Sequence, residues 1–213
     1  MSEFTSLLRG YHRFRAGRYE TERRRWESLA GGQSPAVMII GCSDSRVDPA
    51  TIFDIEPGQA FILRNVAALV PPFEQGSGLH GVSAALEFGV TKLNVKHVVV
   101  MGHGSCGGVA AALGGHGDPD RTFIDRWIAL LDPAVQRVEA SHPQDPQRAL
   151  ELEGVKTSLQ NLRTFPFVAD REAAGELQLH GCHFAIAEGR LWELDDATGD
   201  FRAVEDPHPA PAQ

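Results

Sequence analysis

Three short runs of apolar residues place the strongest constraint on how this 213-residue chain can fold. They extend from Ala36 to Gly41, from Gln59 to Leu63 and from His97 to Met101. Runs of this length are typical of strands that are covered on both faces. Helical patterns lie between them, from Pro49 to Asp54 and from Leu79 to Leu93. Strands that alternate with helices predict right-handed crossovers and a parallel sheet.

The rest of the chain predicts helices around this sheet and further strands near its end. We expect two N-terminal helices separated by Gly17, helices at Cys106–Leu113, Phe123–Leu131, Pro133–Ser141 and Pro146–Arg163, and strands at Leu177–Ala187 and Leu191–Leu194. The predicted fold class is α/β: a central, mostly parallel sheet flanked by helices, with the N-terminal helices extending from the core. One domain is expected over residues 1–205, including a helical arm over 1–32, and the proline-rich tail 206–213 is expected to be disordered.

Composition argues against several classes of protein. A formal net charge of −8 argues against nucleic acid as the main partner, because a duplex binder presents a basic face. Three cysteines are too few, and odd in number, for a secreted disulfide framework. No apolar stretch is long enough for a membrane span, and the first residues lack signal-peptide features, so we expect a cytoplasmic protein without a membrane partner. The arginines from Arg9 to Arg25 indicate a solvated helix face or a subunit contact, with an anionic partner as the alternative.

Two polar segments each follow a predicted buried strand and carry residues suited to chemistry. The first runs from Cys42 through Asp44 to Arg46, and the second runs from His103 to Cys106. Because neighbouring parallel strands bring their carboxyl ends to one crevice, the two segments can meet although they are far apart in sequence. Two thiolates and one imidazole suit zinc, and three protein ligands leave a fourth position open, as in catalytic sites. The predicted helix start at Cys106 also favours a thiolate there.

Other interpretations of these residues are weaker or incomplete. Cys42 and Cys106 could be buried thiols and His103 a hydrogen-bonded core residue, although the three together favour a metal site. A phosphatase loop needs five residues between its cysteine and arginine, whereas Cys42 and Arg46 are separated by three. A serine-hydrolase elbow fails by one glycine, and a redox Cys-x-x-Cys is absent. Cys182 would close the metal site if it joined it, but it is more simply interpreted as a core thiol.

The pattern C-x-D-x-R, followed some sixty residues later by H-x-x-C, resembles the β-class carbonic anhydrases. Gln33 and the Pro71-Pro72-Phe73 segment resemble their plant-like subset in particular. Further matching segments are Gln33-Ser34-Pro35, Ala60-Phe61, Arg64-Asn65-Val66-Ala67, Val70-Pro71-Pro72-Phe73, Gly102-His103, Cys106-Gly107-Gly108 and Pro166-Phe167-Val168. The resemblance implies Zn²⁺ held by Cys42, His103 and Cys106, and a homodimer or higher homo-oligomer. It also implies an enzyme that reversibly hydrates carbon dioxide to bicarbonate and a proton by zinc-bound hydroxide, since bound zinc lowers the pKa of its water toward about 7.

The resemblance also assigns roles beside the metal. Asp44 is expected to accept a hydrogen bond from the zinc-bound hydroxide, and Arg46 to hold that carboxylate as a bidentate partner. An ordinary salt bridge at a helix cap is the alternative for this pair. In some members of the family the aspartate instead binds zinc and closes the site, and the motif alone does not separate the two states.

The expected substrate cleft is narrow and apolar, because carbon dioxide is small and nonpolar. By resemblance, Phe61, Val66 and Phe88 line it, Gln33 helps to position substrate or product, and Gly107 offers its backbone amide to a product oxygen. Packing in the core is an equal alternative for the three apolar residues, and an exposed loop amide is the alternative for Gln33. The sequence does not choose a proton-transferring histidine among His80, His97, His116, His180 and His183.

One departure from the family bears on regulation. Members that are switched by bicarbonate hold it at a second site with a tryptophan, an arginine and a tyrosine. The matching positions here are Ile39, Arg64 and Phe184, so both aromatic polar groups are missing. We therefore expect no such switch and an open site that binds water.

Two other functions are compatible with the same metal ligands. A hydrolase of carbonyl sulfide or carbon disulfide could use the same scaffold and the same three residues. A non-catalytic zinc-binding protein is the second alternative, and it predicts a closed tetrahedral site with no need for Asp44 or Arg46.

Overall fold

The structure is a computed structural model that describes residues 2–76, 78–115, 117 and 122–205. These residues form two compact units, one ending at Ser34 and the other beginning at Pro35. The predicted arm ends two residues before this boundary. The predicted disordered tail, 206–213, lies outside the described residues, so it stays a prediction, as does the assignment of a single domain.

The first unit consists of three helices rather than the two expected: α1 (Glu3–Ala16), α2 (Arg18–Thr21) and α3 (Arg23–Leu29). The chain turns at Gly17, whose amide bonds to the carbonyl of Arg13 at 2.9 Å. Within the arginine-rich segment, Glu20 and Glu22 accept ion pairs from four side chains: Arg15, Arg18, Arg23 and Arg25. These pairs agree with a solvated helix face.

The second unit contains the six-stranded sheet, with strand order β2-β1-β3-β4-β5-β6. The strands are β1 (Val37–Cys42), β2 (Ala60–Asn65), β3 (His97–His103), β4 (Gln178–Ala185), β5 (Arg190–Asp195) and β6 (Asp200–Ala203). The first four strands in the chain pair in parallel, and the last two add an antiparallel edge. The predicted α/β fold class with a mostly parallel sheet is confirmed.

The expected helices of this unit are present with shifted ends, and one further helix, over 166–173, was not expected. Together, these helices are α4 (Pro49–Ile52), α5 (Gly81–Glu87), α6 (Gly107–Leu113), α7 (Phe123–Ile128), α8 (Asp132–Ser141), α9 (Pro146–Leu162) and α10 (Pro166–Ala173). The helix expected from Leu79 to Leu93 instead begins at Gly81 and becomes a π-helical turn over Phe88–Lys92. A 3-10 turn, Val66–Ala68, follows β2.

Apolar residues pack on both faces of the sheet, as the continuous apolar runs require. Helix α9 lies especially close to one face because Gly102 has no side chain: a Cβ atom there would lie 2.7 Å from Cγ2 of Val155. This close packing brings the first turns of α9 to the carboxyl ends of β3 and β4. Among the described residues, no helix is long and apolar enough to cross a membrane.

Candidate metal centre

Three potential metal ligands meet where the parallel strands end. Cys42 is the last residue of β1, His103 is the last residue of β3, and Cys106 caps the start of α6. Their ligand atoms all lie within 4.8 Å of one another, and all three residues are buried. The crossover topology thus brings together residues that lie about sixty positions apart, as the sequence pattern predicted.

The donor atoms of this cluster are suited to a borderline-soft metal such as zinc. Nδ1 of His103 donates a hydrogen bond to the carbonyl oxygen of Gly104 at 3.0 Å. The other ring nitrogen, Nε2, is therefore the one available to the cluster with the two cysteines. That Nε2 atom is buried and has no hydrogen-bond partner within the described part of the chain. A buried nitrogen without a partner beside two thiols is the arrangement that a metal ion completes.

The two thiols of the cluster lie next to each other and shift each other's pKa in opposite directions. The neighbouring thiol of Cys106 lowers the pKa of Cys42 to about 4, despite burial, and the imidazole of His103 and the backbone amides of Asp44 and Ala67 lower it further. The same contact, together with burial, raises the pKa of Cys106. A metal ion would take the place of the shared proton, since thiolates are the ligand form of cysteine.

Cys182 is separate from this cluster. It is buried in β4, and it does not belong to the group of ligand atoms found in the described residues. Burial raises the pKa of its thiol to about 12, which is typical of an inert core cysteine. Cys182 therefore does not close the site as a fourth ligand.

Asp44 and Arg46 form a bidentate ion pair next to the cluster. Nε of Arg46 donates to Oδ1 of Asp44 at 2.9 Å, and Nη2 donates to Oδ2 at 2.7 Å. The backbone amide of Arg46 adds a third bond to Oδ1. These contacts hold the pKa of Asp44 well below its usual range, so the group is a carboxylate at neutral pH. Its Oδ2 lies 4.0 Å from Nε2 of His103, and the guanidinium of Arg46 also bonds to the carbonyl of Ser105.

Arg64 binds the backbone of the first polar segment through two of its three guanidinium nitrogens. Its Nε donates to the carbonyl of Cys42 at 2.8 Å, and its Nη2 donates to the carbonyl of Asp44 at 2.6 Å. Its remaining nitrogen lies 3.5 Å from Asp48. The guanidinium therefore fixes the Cys42–Asp44 turn. Of the other two positions compared with the bicarbonate switch, Ile39 is buried and Phe184 is half-buried.

A strained turn supports Cys42 from a second direction. Ala67 and Ala68 have φ values of 62° and 54°, a left-handed conformation that non-glycine residues rarely adopt. The side-chain amide of Asn65 closes the turn with two hydrogen bonds: its Nδ2 donates to the carbonyl of Leu69, and its Oδ1 accepts from the amide of Leu69. Nε1 of Trp127 donates to the carbonyl of Val66 at 2.8 Å. Sequence reasoning missed Trp127, because nothing in the local pattern of α7 points to residue 66.

Sequence reasoning also missed a buried group beneath Cys106. Oε1 of Glu151 accepts the backbone amide of Cys106 at 3.0 Å, and its Oε2 lies 3.0 Å from Nε2 of His183. Gln147 donates to the carbonyl of Cys106 and to Glu151. The sequence does hold one sign of this group: Glu151 is a charged residue on the apolar face of α9, one turn before Val155, and a buried glutamate is rare unless it has partners.

The residues expected to line the cleft occupy two places. Phe61 on β2 and Phe88 at the π-helical turn are in contact, with ring centroids 5.8 Å apart. Val66 packs against Gly108, where a Cβ atom would lie 2.8 Å from Cγ1 of Val66. Gly107 is the first residue of α6, and the space where its Cβ would be is open. Gln33 is exposed and belongs to the first unit, so its role stays a prediction.

The histidines considered for proton transfer differ in accessibility. His183 is completely buried. His97 and His180 contact each other at 3.1 Å near the amino ends of β3 and β4. His97 and the ligand His103 lie at opposite ends of β3, roughly 20 Å apart at the usual rise of a strand. His80 is exposed before α5, and His116 lies outside the described residues.

Comparisons with known proteins agree with this site. Residues 37–191 match the family model described as carbonic anhydrase. A relative named beta carbonic anhydrase 6, mitochondrial, from Arabidopsis thaliana is 39% identical over 190 residues; the match covers 85% of this chain but just under two thirds (65%) of that relative.

Solved structures show the same fold. The beta-carbonic anhydrase CcaA is 31% identical with a TM-score of 0.89, and the match covers 95% of this chain and all of that chain. A chain described under tetrameric beta-carbonic anhydrases from Sordaria macrospora is 29% identical with a TM-score of 0.78, covering 90% of this chain and 96% of that one.

The chain therefore belongs to the carbonic anhydrase family, because the family model matches most of its length. Within that family it is similar to the beta class, as the C-x-D-x-R and H-x-x-C patterns predicted, and its relatives include a plant member.

Proposed function

We propose that this protein catalyses the reversible hydration of carbon dioxide to bicarbonate and a proton, with zinc held by Cys42, His103 and Cys106. The observation that carries the proposal is the buried cluster of two thiols and an imidazole nitrogen, which has no hydrogen-bond partner among the described residues, beside an Asp–Arg pair. Zinc held by these three residues would lower the pKa of a bound water molecule toward about 7 and would so supply a nucleophile at neutral pH.

Asp44 orients the reacting water. As a carboxylate it can only accept hydrogen bonds, and the bonds from Arg46 fix its direction. Its Oδ2 faces the ligand cluster at 4.0 Å from His103. Because both oxygens of Asp44 are bonded to Arg46 and neither belongs to the group of potential ligand atoms, we propose the open state of the site rather than the closed one.

The remaining residues accommodate carbon dioxide and its product. Val66, which packs against Gly108, offers apolar surface to the substrate, and the amide of Gly107 is available to a product oxygen. The resemblance also assigns Phe61 and Phe88 to the cleft; within one chain this pair lies at a second place, since Phe61 is level with Met38 rather than with Cys42. Gln33 is proposed to assist in positioning. The released proton does not pass directly through His183, which is buried, or through His97 and His180, which lie at the far ends of their strands.

The test is stopped-flow measurement of carbon dioxide hydration from acid to alkaline pH, on protein of known zinc content. We expect a fast rate that rises with an apparent pKa near neutrality. A rate that appears only above about pH 8 would instead indicate ligation of the metal by Asp44. No rate at any pH with one zinc per chain would contradict the proposal and favour a sulfur-substrate hydrolase or a non-catalytic zinc protein.

Two cysteine substitutions provide matched controls for that experiment. Cys42→Ala removes a proposed ligand and should abolish both stoichiometric zinc binding and activity. Cys182→Ala changes a buried cysteine outside the cluster and should preserve both. Equal zinc content in the two variants would argue against the proposed ligand set.

We also propose that the protein is a cytoplasmic homodimer or higher homo-oligomer. In the described chain, Val66 and Phe88 are more than one third exposed, and exposed apolar surface is common where subunits meet. A similar chain is described as tetrameric. Light scattering coupled to size-exclusion chromatography tests the assembly, and a monomer across the working concentration range would contradict it.

A further inference from the structure

The loop from His103 to Cys106, which carries two of the proposed zinc ligands, is held by hydrogen bonds from side chains of other elements. Ser105, between His103 and Cys106, has a φ of 55°, a left-handed value that needs support from neighbours. Arg46 holds the carbonyl of Ser105 from one side. On the other side, Glu151 and Gln147 of α9 hold the amide and the carbonyl of Cys106. The backbone at Cys106 is thus fixed at both its polar groups.

Glu151 makes most of the hydrogen bonds on the α9 side of this loop. Its side chain is almost completely buried, and it has partners for both oxygens: the Cys106 amide and Gln147 on Oε1, and His183 on Oε2. A buried carboxylate is costly unless such bonds are made, so its presence here needs a reason beyond packing. The neighbouring glutamate, Glu153, has instead only partly exposed partners, Lys156 and Arg137.

The position of Glu151 depends on the packing of α9 against the sheet. Gly102 and Gly181 leave no room for side chains between the strands and Val155 of the helix. Nε2 of His183, on β4, then contacts Oε2 of Glu151, while the backbone amide of Cys106 donates to Oε1. The carboxylate therefore links β4, α9 and the start of α6 through hydrogen bonds.

We propose that Glu151, supported by Gln147 and His183, is a positioning residue that holds Cys106 in the geometry for metal binding. The inference rests on the proposed zinc site. Glu151 acts through the backbone of Cys106 as a hydrogen-bond acceptor, and it does not touch the substrate. Hydrogen-bonded groups behind metal ligands typically change metal affinity about 10–100-fold when they are removed.

The test compares two substitutions at Glu151 with the same two at Glu153. Glu151→Leu removes the acceptor, whereas Glu151→Gln keeps an oxygen for the Cys106 amide and an NH₂ group toward His183. Zinc affinity is measured by competition with a chromophoric chelator. We expect about 10–100-fold weaker binding for Glu151→Leu and a change within about threefold for Glu151→Gln and for both Glu153 variants.

A merely structural role gives a different pattern. In that case Glu151→Leu would lower the melting temperature of the metal-free protein but leave zinc affinity unchanged, and this outcome would overturn the proposal. Equal losses of affinity in Glu151→Leu and Glu151→Gln would overturn it as well, because charge rather than the hydrogen bond would then matter. The absorption spectrum of the Co²⁺-loaded protein gives a second readout, and we expect it to change in Glu151→Leu alone.

A milder variant keeps the test decisive if Glu151→Leu does not fold. Gln147→Leu removes the partly buried amide that supports Cys106 and Glu151, and we expect it to weaken zinc binding by roughly tenfold. Native affinity in that folded variant would overturn the proposal. If the native protein itself binds no zinc or does not hydrate carbon dioxide, the proposed function fails; if it does both while these variants bind zinc normally, only the role of Glu151 fails.

Discussion

Asp44 has its charge and its direction set by a single neighbour. Arg46 donates to both carboxylate oxygens from its guanidinium and to one of them from its backbone amide. The carboxylate therefore stays ionised well below neutral pH, and titration of Asp44 does not contribute to a rate profile near pH 7. An acceptor of fixed direction next to the ligand cluster is what orientation of a water molecule requires.

Replacing that acceptor should slow the reaction without removing the metal ligands. We expect Asp44→Asn to lower kcat/KM by about 100-fold, because an amide can donate a hydrogen bond where only acceptance is useful. Stopped-flow hydration at pH 7 to 9 measures the effect. Asp48→Asn is the control, since Asp48 lies near Arg64 but outside the cluster. Native activity and an unchanged pH profile in Asp44→Asn would contradict the assigned role.

His180 makes a separate contribution at the residue scale, to stability rather than to activity. Burial, and then the neighbouring His97, lower its pKa from 6.5, while Glu193 and Asp196 oppose the shift. The unfolded chain therefore binds a proton more readily than the folded one, and stability is lost as the pH falls below 6.5.

The His180→Gln variant tests this contribution. Between pH 7 and pH 5, the melting temperature of the native protein should fall more than that of His180→Gln, because the variant cannot bind the destabilising proton. His80→Gln, at an exposed histidine, should follow the native curve. Parallel native and His180→Gln curves would show that the contribution is absent.

At the scale of elements, the catalytic segments are loops held by neighbouring helices. The turn after β2 contains two left-handed alanines, each of which costs about 1 kcal/mol or more, so its shape must be imposed by its surroundings. Asn65 closes the turn, and Trp127 of α7 holds the carbonyl of Val66. Because Ala67 also directs its amide at Cys42, a shift of this turn would reach the metal ligand.

Trp127→Phe should reveal how far α7 controls the turn. The change keeps most of the ring but removes the hydrogen bond to Val66, so we expect the free energy of unfolding to fall by about 1 kcal/mol. We expect kcat/KM to fall by roughly tenfold, because small displacements in a site are costly. Denaturant unfolding and stopped-flow hydration measure the two effects. Trp192→Phe is the matched control, since the indole nitrogen of Trp192 has no hydrogen-bond partner in the described chain; similar effects in both variants would exclude a specific role for the bond.

At the scale of the whole molecule, the departures from the bicarbonate-switched members act together. Arg64 is engaged by two backbone carbonyls of the catalytic turn and lies beside Asp48, and Ile39 and Phe184 carry no polar group. An anion would have to displace bonds that hold Cys42 and Asp44 in place. The protein is therefore expected to respond to bicarbonate only as a product.

Inhibition by bicarbonate tests that expectation. We expect the rate of carbon dioxide hydration to decline hyperbolically with bicarbonate concentration, with a Hill coefficient of about 1, since a cooperative switch needs two global states with different affinities. The measurement is made at constant pH and ionic strength. A sigmoidal decline would mean that a second bicarbonate site exists despite the loss of both aromatic polar groups.

The fold class and the cluster of potential metal ligands could be predicted from the sequence, because both depend on local patterns. Continuous apolar runs mark strands buried on both faces, and Cys42 and His103 end two of those strands, with Cys106 three residues after the second. Other elements were missed where the local signal is short or interrupted. β6 has only four residues, α10 has eight, and the expected helix from Leu79 to Leu93 changes to a π-helical turn at Phe88.

The sequence by itself determined which residues are candidates for the chemistry, since residue type and spacing limit what can bind a metal or pair with a carboxylate. Only the tertiary structure decided what surrounds them. Glu151 reaches Cys106 across 45 positions and Trp127 reaches Val66 across 61, and each contact depends on how closely a helix packs. Such hydrogen bonds have no local signature, because they arise only after Gly102 lets α9 approach the sheet and α7 lies over the turn after β2.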